Sequence, residues 1–100
     1  MEQLSTTHSA NGYEYEQVWR KGMTAIYKQL RTEDTYEVIK IKISPASEVF
    51  GKSYPEREVY PGNEEWGKLA WTVRGLKEAT TLADKEAQTD WDGITHQKKQ

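Results

Sequence analysis

The sequence contains no cysteine, which excludes disulfide bonds, thiolate zinc sites and cysteine nucleophiles. The chain must therefore be held together by packing alone, and a reducing compartment suits it. Proline is also scarce, because all three prolines fall within residues 44–63. That single stretch is the one place where regular structure is expected to break.

Long apolar runs are missing as well. Hydrophobic residues make up 35% of the 100 residues and the mean hydropathy is -0.96. No stretch approaches the roughly 18 apolar residues that a membrane span needs. We therefore expect a soluble, cytoplasmic protein with no membrane partner.

The chain also has little net charge, since 14 basic residues face 16 acidic ones and the formal net charge is -2. The whole-molecule field that draws many proteins to DNA is absent, although a local basic patch is compatible with this balance. What the sequence does have is aromatic residues: four Trp, six Tyr and one Phe. These large side chains can anchor a small core in a poorly hydrophobic chain.

Period-two alternation predicts three antiparallel strands in succession, over residues 13–19, 24–30 and 36–43. The third is the clearest, because isoleucines 39, 41 and 43 point one way while Lys40 and Lys42 point the other. Residues 66–73 are compatible with a helix or a strand, and alternation favours a fourth strand.

One apolar stripe predicts a helix over residues 76–88, with Gly75 as its N-cap. The predicted fold class is therefore α+β: a four-stranded antiparallel meander, with one C-terminal helix packed on one face and a long proline-containing loop between strands 3 and 4. We expect a single domain over residues 13–88, with flexible polar tails at 1–12 and 89–100.

The motifs that resemble catalytic or ligand sites are incomplete. Residues 51–53 read Gly-Lys-Ser like the end of a phosphate-binding loop, but Ala46 replaces the first glycine and Pro55 blocks the following helix. Residues 90–93 imitate a calcium loop, yet Gln88 and Lys99 occupy the outer ligand positions.

The remaining chemical groups are no better placed. The histidines, His8 and His96, both fall in the predicted tails, where no rigid shell would hold them. Ser47 and Ser53 therefore have no ordered base to activate them. Glutamates that are adjacent or alternate in the sequence, such as Glu56 and Glu58, are typical of a solvent-exposed surface. We therefore predict that the chain has no catalytic, cofactor-binding or metal-binding residue. We also predict that the protein is not an enzyme.

Aromatic residues in or beside the proline-containing segment are the least easily accommodated in the predicted core. They are Phe50, Tyr54, Tyr60 and Trp66. Because Tyr and Trp are enriched at protein interfaces, we predict a non-enzymatic interaction module that binds a protein partner through these residues. A second copy could also pair with an unpaired edge strand of the sheet and form a homo-oligomer.

The alternative function is single-stranded nucleic-acid binding on an aromatic and basic sheet face. Its candidate residues are Trp19, Arg20, Tyr27, Lys40 and Lys42. Bases can stack on exposed aromatic rings while cations contact the backbone phosphates. The competing interpretation, which we favour for the aromatic residues, is that they fill the core.

Four segments carry a resemblance to a group of known proteins: 19–27 (WRKGMTAIY), 36–39 (YEVI), 58–61 (EVYP) and 65–67 (EWG). Together they resemble small uncharacterised proteins encoded by bacteriophages and prophages, over residues 18–80. The resemblance implies no activity. It does lead us to expect an accessory protein encoded by a mobile element.

Overall fold

The computed structural model describes residues 2–91 and residue 93, apart from the side chain of Asn63. In chain order, the elements in this part of the chain are β1 (Thr7–Ala10), β2 (Tyr13–Lys21), β3 (Thr24–Gln29), β4 (Thr35–Lys40), β5 (Lys42–Ser44), β6 (Ser47–Val49), β7 (Lys52–Tyr54), β8 (Arg57–Val59), a 3₁₀ helix (Asn63–Glu65), β9 (Ala70–Arg74) and α1 (Leu76–Ala87). No helix among these residues is long and apolar enough to span a membrane.

The central sheet has the strand order β1-β2-β3-β4-β9, and every neighbouring pair is antiparallel. The predicted α+β class with one C-terminal helix is confirmed, and the four predicted strands correspond to β2, β3, β4 and β9. The predicted count of four is wrong, because β1 adds a fifth strand at the edge.

The fifth strand comes from residues 1–12, where the sequence led us to expect a flexible tail. Asn11 and Gly12 form a two-residue turn with positive φ angles of 53° and 81°. These angles suit a tight β-hairpin, and Asn-Gly is the dipeptide that most favours one. The turn brings β1 back along β2, with Ala10 opposite Tyr13.

The predicted third strand, residues 36–43, is divided in two. β4 ends at Lys40, and β5 leaves the main sheet to pair with β8 instead. The proline-containing segment is thus partly regular: it holds β6 and β7, which form their own hairpin, and it returns to the body through β8.

The helix packs on one face of the sheet, which we call the helix face. Ala79 and Ala83 are fully buried there against Ile26, Tyr36 and Val38. The two alanines carry the smallest side chains of the apolar stripe, so they let the helix approach the strands closely. The helix ends at Ala87, and Gln88 forms its C-cap.

The opposite face of the sheet, the loop face, is also covered. Its buried residues are Tyr15, Ala25, Tyr27, Ile39, Ile41 and Ala70. Leu4 from the N-terminal segment packs against this cluster, as do Tyr60 and Trp66 from the segment between β8 and β9. The sheet is therefore buried on both faces, which explains how a chain with few aliphatic residues uses most of its aromatic ones.

The predicted C-terminal tail is only partly within the described residues. Trp91 is half-buried, and its Nε1 donates a hydrogen bond of 2.7 Å to the carbonyl oxygen of Ile41. This residue is held to the sheet, in contrast to the expected loose tail. Asp92 and Lys99 of the calcium-loop motif, and His96, lie outside the described residues.

Candidate functional site

The structure separates the four predicted interaction residues into two pairs. Phe50 is 100% exposed and Tyr54 is 50% exposed, and both belong to the β6–β7 hairpin. Tyr60 and Trp66 are half-buried against the loop face of the sheet. The sequence predicts that all four lie outside the core, whereas the second pair packs against it.

Residues 45–57, which we call the arm, are exposed at every position. The hairpin within it pairs Ser47 with Tyr54 and Val49 with Lys52. Residues that are opposite each other in an antiparallel pair share one face of the ladder. Val49 and Tyr54 therefore lie on the same face of the arm, next to Phe50 at its tip.

Phe50 combines an exposed ring with an unfavourable backbone conformation. Its φ angle is 52°, and the following Gly51 has a φ angle of 79°. The left-handed region costs a residue other than glycine, asparagine or aspartate roughly 1–2 kcal/mol. Neither the exposed ring nor this conformation stabilises the isolated protein.

The aromatic candidates for nucleic-acid binding are not available for base stacking together. Tyr27 is 0% exposed in the loop-face core, whereas Trp19 packs on the helix face against the other cluster. The two rings thus lie on opposite sides of the sheet.

The basic candidates are each engaged by a glutamate. The ion pairs are Arg20 with Glu58 at 2.8 Å, Lys40 with Glu86 at 3.3 Å and Lys42 with Glu65 at 2.8 Å. Because these cations are already paired and Tyr27 is buried, the structure does not bring the five residues together as one open surface.

A second candidate site, which no pattern in the sequence predicts, lies on the loop face. A cavity of about 230 Å³ is lined by His8, Ala10, Asn11, Tyr15, Glu37, Tyr60, Pro61, Trp66 and Thr72. The β1–β2 hairpin supplies one wall and the segment after β8 supplies another. Asn11 and Thr72 are exposed, so the cavity reaches the surface.

Aromatic rings are arranged closely around this cavity. The rings of His8 and Tyr60 stack with their centroids 3.6 Å apart, and the Tyr60 and Trp66 centroids are 6.5 Å apart with the ring planes at 30°. The indole Nε1 of Trp66 donates a hydrogen bond of 3.1 Å to the hydroxyl oxygen of Thr72. This bond fixes Trp66 between the 3₁₀ helix and β9.

Glu37 supplies a carboxylate to the same cavity although it is only 8% exposed. The hydroxyl of Tyr60 donates a hydrogen bond to its Oε1. Burial raises the pKa of Glu37 above its usual value, while the hydroxyls of Tyr60 and Tyr15 oppose that rise. Burial and the Glu37 charge together raise the pKa of Tyr60 far above its ordinary range, so Tyr60 remains a hydrogen-bond donor.

The sequence does contain a signal for Glu37. It has the same strand parity as Ile39 and Ile41, which we placed on one face, so an ionisable side chain was in phase with the predicted core. His8 gave no comparable signal, because the strand that carries it was not predicted. Within the described residues, no three His, Asp or Glu side chains converge to hold a metal ion.

Comparisons with family models, with curated proteins and with solved structures give no significant match for this chain.

Proposed function

We infer that the protein is a non-enzymatic interaction module and that the arm is the element that contacts its protein partner. The single observation that carries this proposal is Phe50, whose ring is completely exposed on a backbone in the left-handed region. Backbone strain of this kind concentrates at functional positions, where the surrounding structure holds it in place.

The energetics of the arm favour a contact role. Burying a phenylalanine side chain contributes about 1.5–3 kcal/mol, and none of that is realised in the isolated chain. Val49 is 45% exposed and lies diagonally across from Tyr54 on one face, which Ser47 and Lys52 share, so a partner could cover both apolar side chains together with Phe50 at the tip. A hairpin that is already paired also loses less conformational entropy on binding than a disordered segment would.

Affinity capture from bacterial lysate tests this proposal. The wild type is compared with Phe50→Ala combined with Tyr54→Ala, and with Leu76→Ala as a matched control. Leu76 is 53% exposed on α1, so this control removes a similar exposed apolar side chain from another surface. We expect at least one protein to be captured by the wild type and the control but lost from the double variant. Capture of the same proteins by all three chains contradicts the proposal.

The resemblance to phage and prophage proteins sets the order in which lysates are tried. As part of the proposal, the protein acts for a mobile element inside a bacterial cell, so infected and uninfected lysates are compared.

A second copy of the chain is the other partner to test, because β1 and β9 are the edge strands of the main sheet. Sedimentation of the wild type and the double variant separates these cases, since a homo-oligomer built on an edge strand persists when the arm is altered.

A further inference from the structure

The carboxylate of Glu37 is buried without a cationic partner among the described residues. The four ion pairs in that part of the chain use other acids: Glu58, Asp84, Glu86 and Glu65. Its hydrogen bond comes from the hydroxyl of Tyr60, which stabilises the carboxylate but does not neutralise it. Ionised Glu37 therefore leaves an uncompensated negative charge in a buried position, which is unfavourable unless the carboxyl binds a proton or a cation is supplied.

No side chain lining the cavity supplies that cation at neutral pH. His8 is the only basic residue in the lining, and burial lowers its pKa below the ordinary value of 6.5. His8 is therefore mainly neutral at pH 7, and its ring packs flat against Tyr60. Within the described residues, the charge of ionised Glu37 is therefore left for a proton or a cationic ligand to neutralise.

Aromatic walls around the carboxylate indicate which cation would fit. Tyr15, Tyr60 and Trp66 all line the cavity, and the faces of aromatic rings attract organic cations at distances of up to about 6 Å. A carboxylate supplies the opposite charge, and it also accepts hydrogen bonds from an N–H group. A cavity lined by a carboxylate and aromatic rings suits an ammonium group with attached methyl or methylene carbons.

The other candidate cations fit less well. A metal ion would need several oxygen or nitrogen ligands, and no group of three His, Asp or Glu side chains meets at this cavity or elsewhere in residues 2–91 and 93. The volume of about 230 Å³ is below the usual range for drug-sized ligands, but it admits a short chain of carbon atoms. We propose that this cavity is a binding site for a small organic ammonium ion, held by Glu37 and by the rings of Tyr60 and Trp66.

The ammonium group could belong to a free amine or to the lysine side chain of a peptide. The chemistry that Glu37 and the rings recognise is the same in both cases. Two probes distinguish the sources: n-butylammonium as the free amine, and a short peptide with a single lysine. This site is separate from the arm, so variants at Phe50 leave the binding of either probe unchanged.

Calorimetric titration of the full chain with n-butylammonium tests the proposal. The neutral probe 1-butanol has the same carbon chain without the charge. We expect the wild type to bind the amine at least about tenfold more tightly than the alcohol, and Glu37→Gln to remove that preference. Glu16→Gln is the matched control because Glu16 is an exposed acid on β2, and it keeps the wild-type affinity.

A second measurement avoids dependence on the folding of the Glu37 variant. In NMR spectra of the wild type, n-butylammonium should shift the signals of the Trp66 indole and the Tyr60 ring, and Trp66→Leu should weaken binding several-fold. Equal affinity for the amine and the alcohol overturns the proposal. So does the absence of binding, or a set of shifted signals confined to another surface such as α1.

Discussion

The imidazole ring of His8 stacks on the phenol ring of Tyr60, with the centroids 3.6 Å apart and the ring planes 7° from parallel. This contact joins β1 to the segment after β8. Tyr60 also donates a hydrogen bond to Glu37 of β4, so one tyrosine links edge strand β1 to β4, which lies between β3 and β9. The N-terminal segment is therefore part of the loop-face layer.

Removal of the His8 ring should destabilise the protein. A stacked aromatic pair contributes about 0.5–1.5 kcal/mol beyond the area that it buries, so we expect His8→Ala to lower the free energy of unfolding by about 1 kcal/mol or more. Ser9→Ala is the control, since Ser9 is exposed on the same strand. Urea unfolding measures both variants, and an equal effect for the two would show that the stacking contributes nothing.

Relief of the backbone strain at Phe50 should stabilise the protein while it removes the contact residue. Asparagine tolerates the left-handed conformation and is favoured in this type of turn. We expect Phe50→Asn to gain about 1 kcal/mol, which corresponds to a rise of roughly 4–8 °C in Tm for a domain of this size. Phe50→Ala keeps the positive φ without relieving it, so it should not gain stability. Equal Tm values for the two variants would contradict the assignment of strain.

The Arg20–Glu58 pair should make the protein sensitive to acid. Both guanidinium contacts to the carboxylate are 2.8 Å, and the amide of Leu4 donates a third hydrogen bond of 2.8 Å. The Arg20 hydrogen bonds lower the pKa of Glu58, so its contribution is complete above the unfolded value of 4.5 and is lost as pH falls through the native value.

Substitution of Glu58 should remove that acid sensitivity. We expect Glu58→Gln to cost about 2 kcal/mol near neutral pH and progressively less in acid, because hydrogen bonds to charged groups contribute about 1.5–3 kcal/mol. Chemical unfolding across the acid range checks this, with the exposed Glu56→Gln as control. A loss that stays constant as pH falls would show that the ion pair is not its source.

Glu37 should have the opposite pH dependence. Burial raises its pKa, so between the ordinary value of 4.5 and the native value the folded state binds more protons than the unfolded chain. Stability falls as pH rises through that interval. The Glu37→Gln variant lacks this proton, so its stability relative to the wild type should increase with pH.

The comparison isolates Glu37 because its titratable neighbours in the cavity, His8, Tyr15 and Tyr60, are present in both proteins. Paired unfolding curves from mild acid to neutral pH measure the effect. A stability difference that does not change with pH would show that the pKa of Glu37 is not raised.

The sequence predicted the elements whose signals are local. The alternation of apolar and polar residues predicts β2, β3 and β4, and the apolar stripe predicts α1. Each of these patterns is contained within its own segment, so the meander and the helix could be predicted. The Asn11-Gly12 turn was a local signal too, but the polar residues around it led us to interpret the segment as a tail. Polarity alone is weak evidence for disorder, because a strand in an antiparallel sheet can leave one face exposed to solvent.

The candidate sites were less predictable because they depend on contacts between distant segments. Tyr60 and Trp66 lie beside prolines and glycines in the chain, and nothing local shows that the sheet leaves a face for them to cover. The exposed pair, Phe50 and Tyr54, could be predicted because both are aromatic residues within the proline-containing segment, away from the predicted strands and helix. Strand parity places Glu37 on the core side of β4, but its hydrogen bond with Tyr60 depends on a contact between distant segments.

Site-specific crosslinking at Phe50 tests the central claim, that the arm is the contact element, most directly. Phe50 is replaced in cells by the photoreactive analogue p-benzoylphenylalanine, which keeps an aromatic ring at the tip of the hairpin, and Leu76 is replaced in the same way as control. We predict a discrete crosslinked species after irradiation for position 50 and none for position 76. No crosslinked species at position 50, or the same species at both positions, would contradict the claim.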